Sequence, residues 1–402
     1  MGTTHAGGGG DAVVLPATHS AKSLACTRSL GARGIRTIVA AAESDVPAAW
    51  SRYCDEVAAV PSPHDDLIGY RDALLSLSAR PDVRTIVPNR EEDAFVLSRY
   101  RDSFADAIEV LEPPFDALAI AHDGKRLAEL AAAVDVPVPE TRSFDAVADW
   151  DRELIVKPRY SILTSDYVDF LAPEECIWRL DPIHPAPGEA PDREHVLETM
   201  LGHVPIVQEY VPIEAEYSVR ALYDHGEAVA TSVRRQDRGM TYAGGASVYR
   251  ELVENPHLER LARRLLDALE WHGLATVQFI ERADGDGYVL CEINPRTWTS
   301  IPCDVRAGAD YPYFCWLLAT DRADEIDPSH EVGVATHLLY GEFQYLLSVL
   351  RDEYPNAERP TVATAAREIL SSIVAQPHFD YLRPDDPLPF VRGLLSTVGQ
   401  SE

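Results

Sequence analysis

A chain of 402 residues exceeds one ordinary hydrophobic core and points to two or three domains. Its 65 acidic residues against 36 basic ones give a net charge of -29, which repels nucleic acid and anionic membrane surfaces and, with no clustered basic patch, argues against both as partners. With 46 % hydrophobic and 25 % charged residues the composition is otherwise that of a globular protein.

Residues 1–10 are Gly-rich, lack an apolar signal-peptide core and read as a disordered tail. Strand and helix then alternate. Ala12-Val13-Val14-Leu15 is a strand, Ser20 to Gly34 a helix with Gly34 near its stop, Arg36 to Ala41 a strand, and Val57-Ala58-Ala59-Val60 a third. His64 to Arg80 is helical, Thr85-Ile86-Val87-Pro88 is a strand, and a helix starts near Glu91. This pattern predicts a parallel α/β unit. Gly31-Ala32-Arg33-Gly34 is not GxGxxG and follows a helix, so dinucleotide binding gains no support. A helical stretch over 115–134 leads into Leu154-Ile155-Val156-Lys157-Pro158, a strand ending in lysine. The polar segment from Asp181 to Asp192 is a surface loop, and Ile206 to Val211 a strand. Glu216 to Arg220 and Ala228 to Arg235 pair around the Asp224-His225-Gly226 turn, a helix runs from Asn255 to Glu270, and Trp271-His272-Gly273 ends it with Gly273 as its cap. Residues beyond 335 are mostly helical with Pro-rich breaks.

The chemistry concentrates in Glu292-Ile293-Asn294-Pro295-Arg296. Glu292 and Asn294 are two apart, so a strand places both side chains on one face. Asp284-Gly285-Asp286-Gly287 is a strong turn, and folding about it sets Gln278 opposite Glu292. Three oxygen ligands then converge, which suits Mg2+, with Mn2+ as the alternative, held together with substrate phosphates. Cys291 alternates with Glu292 and is expected to face the core. Arg296 lies just past the ligands, where it can hold a phosphoryl group or a substrate carboxylate. Arg235 and Arg238 are weaker candidates in a charged segment, Gly244-Gly245 either widens a pocket or merely turns the chain, and Trp298 is expected to pack beneath the substrate pocket.

The basic residues are unusual: only Lys22, Lys125 and Lys157 are lysines, and 33 are arginines. An acidic, lysine-poor surface suggests a halophilic protein, although a GC-rich genome gives the same bias. Six cysteines without a CxxC read as buried thiols of a reducing, cytoplasmic compartment. No apolar run approaches membrane-spanning length. The thirteen histidines show no HExxH, and no GxSxG marks a serine nucleophile.

From about residue 12 to 335 these residues resemble the ATP-grasp superfamily, more narrowly its carboxylate-amine ligase-like members. The metal signature, Val277-Gln278-Phe279 with Glu292 to Arg296, is similar to that of carbamoyl-phosphate synthase. The resemblance implies an α/β N-terminal domain followed by an α+β ATP-grasp fold of two subdomains gripping ATP, with a mostly helical C-terminal extension. The corresponding segments are 11–114, 115–335 (divided at 210/211) and 336–402. The resemblance further implies that Lys157 and Lys125 approach the phosphates and that Gln208, Glu209 and Val211 lie in the adenine hinge, with Glu216 on the ribose. One feature departs from the family. Arg159-Tyr160-Ser161-Ile162-Leu163-Thr164-Ser165 follows the strand lysine without glycine, whereas wrapping backbone amides around phosphate usually needs it. Arg159 or the Ser161, Thr164 and Ser165 hydroxyls are the replacements.

The expected activity is an ATP-dependent ligase that joins a small-molecule carboxylate to an amine through an acyl phosphate, releasing ADP and phosphate. A grasp-type kinase or carboxylating enzyme, and a nucleotide-binding regulatory protein without turnover, stay open as alternatives. A homodimer is compatible with the chain.

Overall fold

The computed structural model describes residues 10–178, 180–354 and 357–399. The predicted N-terminal tail, apart from Gly10, lies outside the described residues.

The N-terminal unit is built from β1 (Ala12–Pro16), α1 (Ala21–Gly31), β2 (Arg36–Ala41), β3 (Glu56–Ala59), α2 (Leu67–Ser78), β4 (Val83–Ile86), α3 (Glu91–Arg99) and α4 (Arg101–Ala105). Its four strands run parallel in the order β3-β2-β1-β4. β1 is buried along its whole length, as expected of a central parallel strand covered by helices on both faces. The Ser20 side chain caps α1 by accepting from the Lys22 amide, and Gly34 (φ +77°) turns the chain into β2. The predicted helix over 64–80 begins later, at Leu67, because Asp66 caps it by accepting from Gly69 N at 2.8 Å. The carboxyl ends of β1, β2 and β4 share one edge, where open parallel sheets bind ligands.

Next come α5 (Phe115–His122), α6 (Gly124–Ala133), β5 (Thr141–Ser143), β6 (Leu154–Lys157), β7 (Ile162–Leu163), β8 (Ile177–Trp178), α7 (Arg193–Thr199) and β9 (Ile206–Glu209). The helical stretch predicted over 115–134 is two helices. Asp123 breaks it, its carboxylate accepting from the Lys125 and Arg126 amides at 3.0 and 3.3 Å to start α6. β5, β9 and β6 form a small antiparallel sheet in that order, and β7 and β8 a two-stranded ribbon. Leu154 and Val156 pack inward from β6, leaving Ile155 and Lys157 on the opposite face.

The largest sheet contains β10 (Ile213–Asp224), β11 (Glu227–Thr241), β12 (Gly244–Val253), β13 (Gly273–Arg282), β14 (Tyr288–Asn294) and β15 (Ala335–His337). It is antiparallel, ordered β14-β13-β10-β11-β12-β15. α8 (Pro256–Ala268) covers one face, burying Leu258, Leu261, Leu265 and Leu266 against Val219, Ala221, Val233, Val277 and Phe279. Gly273 does not cap this helix. The chain leaves α8 through Glu270 (φ +46°), with Trp271 N bonded to Leu266 O at 3.0 Å. Gly273 (φ +82°) instead opens β13, where a Cβ would sit 1.7 Å from the Leu111 carbonyl oxygen.

α9 (Ile301–Ala307) and α10 (Tyr311–Ala319) follow the hairpin, and α11 (Leu339–Arg351), α12 (Val362–Ala375) and α13 (Leu388–Gly399) form the helical extension. Arg238 and His337 both meet Glu342 of α11, at 2.8 and 2.7 Å. The architecture is therefore an α/β N-terminal domain, a two-lobed core and a helical C-terminal extension. Among the described residues no helix is long and apolar enough to cross a membrane.

Candidate functional site

The hairpin of β13 and β14 pairs Gln278 with Glu292 and Thr276 with Asn294. The neighbouring registers add Ser218 opposite Gln278 and Arg234 opposite Ser218. Cross-strand partners share a face, so Glu292, Asn294, Gln278, Ser218 and Arg234 all project away from the α8 core. Asn294 Nδ2 donates to Glu292 Oε1 at 2.7 Å, and Arg296 Nη2 donates to Asn294 Oδ1 at 3.0 Å. Glu216 lies on the same face. Burial raises its carboxyl above the ordinary range against the pull of Arg234, and the nearby Glu292 adds to the rise. The carboxylates of Glu292 and Glu216 and the side-chain amide oxygens of Gln278 and Asn294 make an all-oxygen ligand set, which fits a hard divalent cation.

The register slips after Gln278: Phe279 pairs with Leu290, leaving Cys291 as an extra residue. This β-bulge breaks the alternation that predicts a core-facing Cys291. Its side chain instead lines a cavity of about 480 Å³ together with Lys157, Glu292, Asn294 and Arg296. Burial pushes the Cys291 thiol up to about 12, so it stays protonated at neutral pH. Gln208, Ile206, Gly124, Leu127 and the segment Pro158 to Ser161 form further parts of its walls.

Arg296 also lines a second cavity, of about 310 Å³, at the carboxyl edge of the N-terminal sheet. Lys22, His19, His64, Arg90, Glu91, Glu92 and Trp178 line it, and Glu91 and Trp178, like Arg296, belong to both cavities. Arg296 Nε lies 2.8 Å from Glu91 Oε1, and His122 Nε2 lies 3.6 Å from Glu91 Oε2. Although burial opposes it, Arg296 and His122, with help from Lys22, hold the Glu91 carboxyl below its ordinary range. The hairpin is fastened to this edge by Thr297 N donating to Pro88 O at 3.0 Å and by the Thr297 hydroxyl on Asn89. Asn89 Nδ2 in turn donates to Pro16 O at 2.7 Å.

Residues 203–338 match a family described as ATP-grasp in the biosynthetic pathway with Ter operon. Similar solved structures include N5-carboxyaminoimidazole synthetase from Staphylococcus aureus, with 14 % identity, a TM-score of 0.61, and 90 % of this chain and 97 % of that one covered. The chain has an ATP-grasp fold. L-amino acid ligase from Bacillus licheniformis (10 % identity, TM-score 0.57, 82 % of this chain and 79 % of that one) shares it. So does biotin carboxylase from Campylobacter jejuni (14 % identity, TM-score 0.56, 80 % and 74 %). No curated protein matches the sequence.

Within this ATP-grasp fold the residues singled out from sequence fall into two groups. Lys157, Gln208, Glu292, Asn294 and Arg296 line one cavity, and Gln278 stands beside Glu292. The others lie outside its lining. Lys125 pairs with Glu129 on the surface of α6. Glu209 pairs with Arg282 at 3.1 Å, its amide donates to Glu140 O at 3.0 Å, and Val211 is buried. Arg235 sits opposite Tyr217, on the face away from Glu292, paired with Asp237 at 2.8 Å and Glu251 at 3.2 Å. Its neighbour Arg234 shares the face of Glu292 and Gln278, is buried, and has no hydrogen-bond partner at Nε among the described residues. Trp298 lines neither cavity: it donates to Asp304 at 2.7 Å and lies 4.8 Å beneath the Arg220 guanidinium. In the glycine-free loop, Arg159 binds the Asp123 carboxylate at 2.6 Å, and Tyr160 stacks on Tyr167 with centroids 5.2 Å apart. The loop is thus stiffened by side chains, and of Ser161, Thr164 and Ser165 only Ser161 lines the cavity.

Sequence reasoning missed Glu91, Lys22, His122 and Arg234. The only local signals were the acidic run Glu91-Glu92-Asp93 just after a strand end and the scarcity of lysine.

Proposed function

We propose that this protein is an ATP-dependent carboxylate-amine ligase. The observation that carries the reading is the position of Arg296, a wall of both the Lys157–Glu292–Asn294 cavity and the chamber beside it. A phosphoryl donor in the first cavity and an acid in the second would meet at one guanidinium. ATP supplies the phosphoryl group, and Mg2+ held by Glu292, Asn294 and Gln278 would neutralise its charge. Lys157 offers a compact charge to the phosphates. Arg296 orients the substrate carboxylate and stabilises charge as its oxygen bonds to the γ-phosphorus and the bond to ADP breaks. An amine then attacks the carbonyl carbon of the acyl phosphate, the C–N bond forms, phosphate leaves and the amine loses a proton. No enzyme nucleophile is required, and the protonated Cys291 is not needed as one.

Incubation with Mg-ATP and a mixed panel of acids and amines tests this. ADP release that requires both an acid and an amine, with a condensed product by mass, is the expected result. ADP release that requires bicarbonate and one acceptor would replace ligation by carboxylation. ATP binding without turnover across the panel would leave a nucleotide-binding regulator.

A further inference from the structure

The arginines lining the second chamber are neutralised by the protein, and its two histidines lie against carboxylates. Arg296 has Glu91 at 2.8 Å, Arg90 has Asp93 at 3.0 Å, His19 has Glu43 at 3.0 Å, and His64 has Glu92 at 3.2 Å. Lys22 is the exception: among the described residues its ammonium makes no ion pair and no hydrogen bond. It extends from the first turn of α1, immediately after the carboxyl end of β1, and lines the chamber with Thr18, Glu91 and Arg296. Burying this cation costs desolvation energy that the more distant carboxylates of Asp93, Glu91 and Glu92 offset only in part. Arginine outnumbers lysine 33 to 3 in this chain, yet this position keeps a lysine.

We propose that Lys22 is the anion-binding residue of the chamber, receiving the carboxylate of the acid substrate beside Arg296. This inference rests on the ligase reading above. A chamber of about 310 Å³ fits a small acid rather than a polymer. Ala17, Ala42, Val46 and Trp178 give the rest of that acid an apolar wall. Burial first, and then the Arg296 charge, lower the Lys22 ammonium to about 7 against the pull of Asp93, Glu91 and Glu92. An arriving carboxylate offsets both effects and favours the charged form. Lys22 therefore takes up a proton as the acid binds near neutral pH.

The test uses full-length protein carrying 13C,15N-lysine, whose three side-chain signals are assigned with K22R, K125R and K157R. Acetate, succinate and L-glutamate are titrated in, with succinamide as the uncharged control. The expected result is a saturable shift of the Lys22 signal, and a rise in its titration midpoint, with at least one acid and not with succinamide. In acid-dependent ADP release, K22M raises KM for that acid tenfold or more, K22R restores part of the loss, and KM for ATP stays within twofold. If no acid moves Lys22 while an ATP analogue with Mg2+ moves Lys157, the Lys22 inference falls and the ligase reading stands. If Lys157 is silent to nucleotide, the ligase reading falls instead. An acid shift at Lys22 with an unchanged acid KM in K22M also overturns the inference.

Discussion

Arg296 and Glu91 join two parts of the chain that lie more than two hundred residues apart, through an ion pair of 2.8 Å. Glu91 starts the helix after the last strand of the N-terminal sheet, and Arg296 ends the hairpin carrying the candidate metal ligands. Glu91 is almost fully buried and Arg296 largely so, which shields the pair from solvent screening. Arg296 also reaches Asn294 Oδ1, so one guanidinium ties the ligand set to the chamber wall.

Glu91→Gln removes the counter-charge but keeps the size. Acid-dependent ADP release should fall about tenfold or more, because Arg296 loses the group that aims it. Nucleotide affinity by calorimetry should stay within about twofold, since Glu91 makes no bond to Lys157 or Glu292. A double-mutant cycle with Arg296→Met should give a coupling of about 0.5–3 kcal/mol. Additive effects would show that the pair is incidental.

Glu292→Gln should cut Mg2+-dependent turnover by about 10²-fold or more, as expected when a group that neutralises transferring phosphate is lost. Glu292 is exposed, so stability should stay within about 0.5 kcal/mol of the parent. Wild-type turnover in this variant would remove Glu292 from the metal site.

Gly273→Ala should destabilise the protein by about 3 kcal/mol or more, since its Cβ would meet the Leu111 carbonyl at 1.7 Å in a left-handed conformation. Gly285, in the hairpin turn, has the same φ of +82° but open space around it. Its alanine variant should cost only about 1–2 kcal/mol. Denaturant melts of the two variants compare steric with conformational cost. Equal losses would contradict the close approach at β13.

Glu112 is fully buried, and among the described residues neither carboxylate oxygen has a hydrogen-bond partner. Burial holds its carboxyl well above the ordinary range against the pull of Arg101. The folded state therefore keeps a proton that the unfolded chain releases above about 4.3. Stability is fully present below that pH and is lost as pH rises toward the folded-state value. Glu112→Gln should melt higher than the parent at pH 8, with a smaller difference at pH 5. A gain independent of pH would assign the effect to packing.

The sequence by itself determined what depends on neighbours along the chain. Asp284-Gly285-Asp286-Gly287 sets the hairpin turn, and the twofold strand period then sets Gln278 against Glu292 and keeps Glu292 and Asn294 on one face. The strand-end position of Lys157 and the parallel N-terminal unit follow equally from local pattern. Tertiary structure decided the rest. Which of two adjacent arginines shares the face of Glu292 and Gln278 depended on which side of β11 packs under α8, and that side took Arg235 and left Arg234 beside them. Cys291 faces the cavity because one bulge residue shifts the alternation, and no local pattern marks that bulge. Lys125 has its counter-charge four residues along its own helix, whereas Lys22, whose sequence neighbours mark no site, makes no ion pair among the described residues and lies in a chamber. That chamber is assembled from residues near 20, 64, 91, 178 and 296, so its charge balance exists only once the chain has folded.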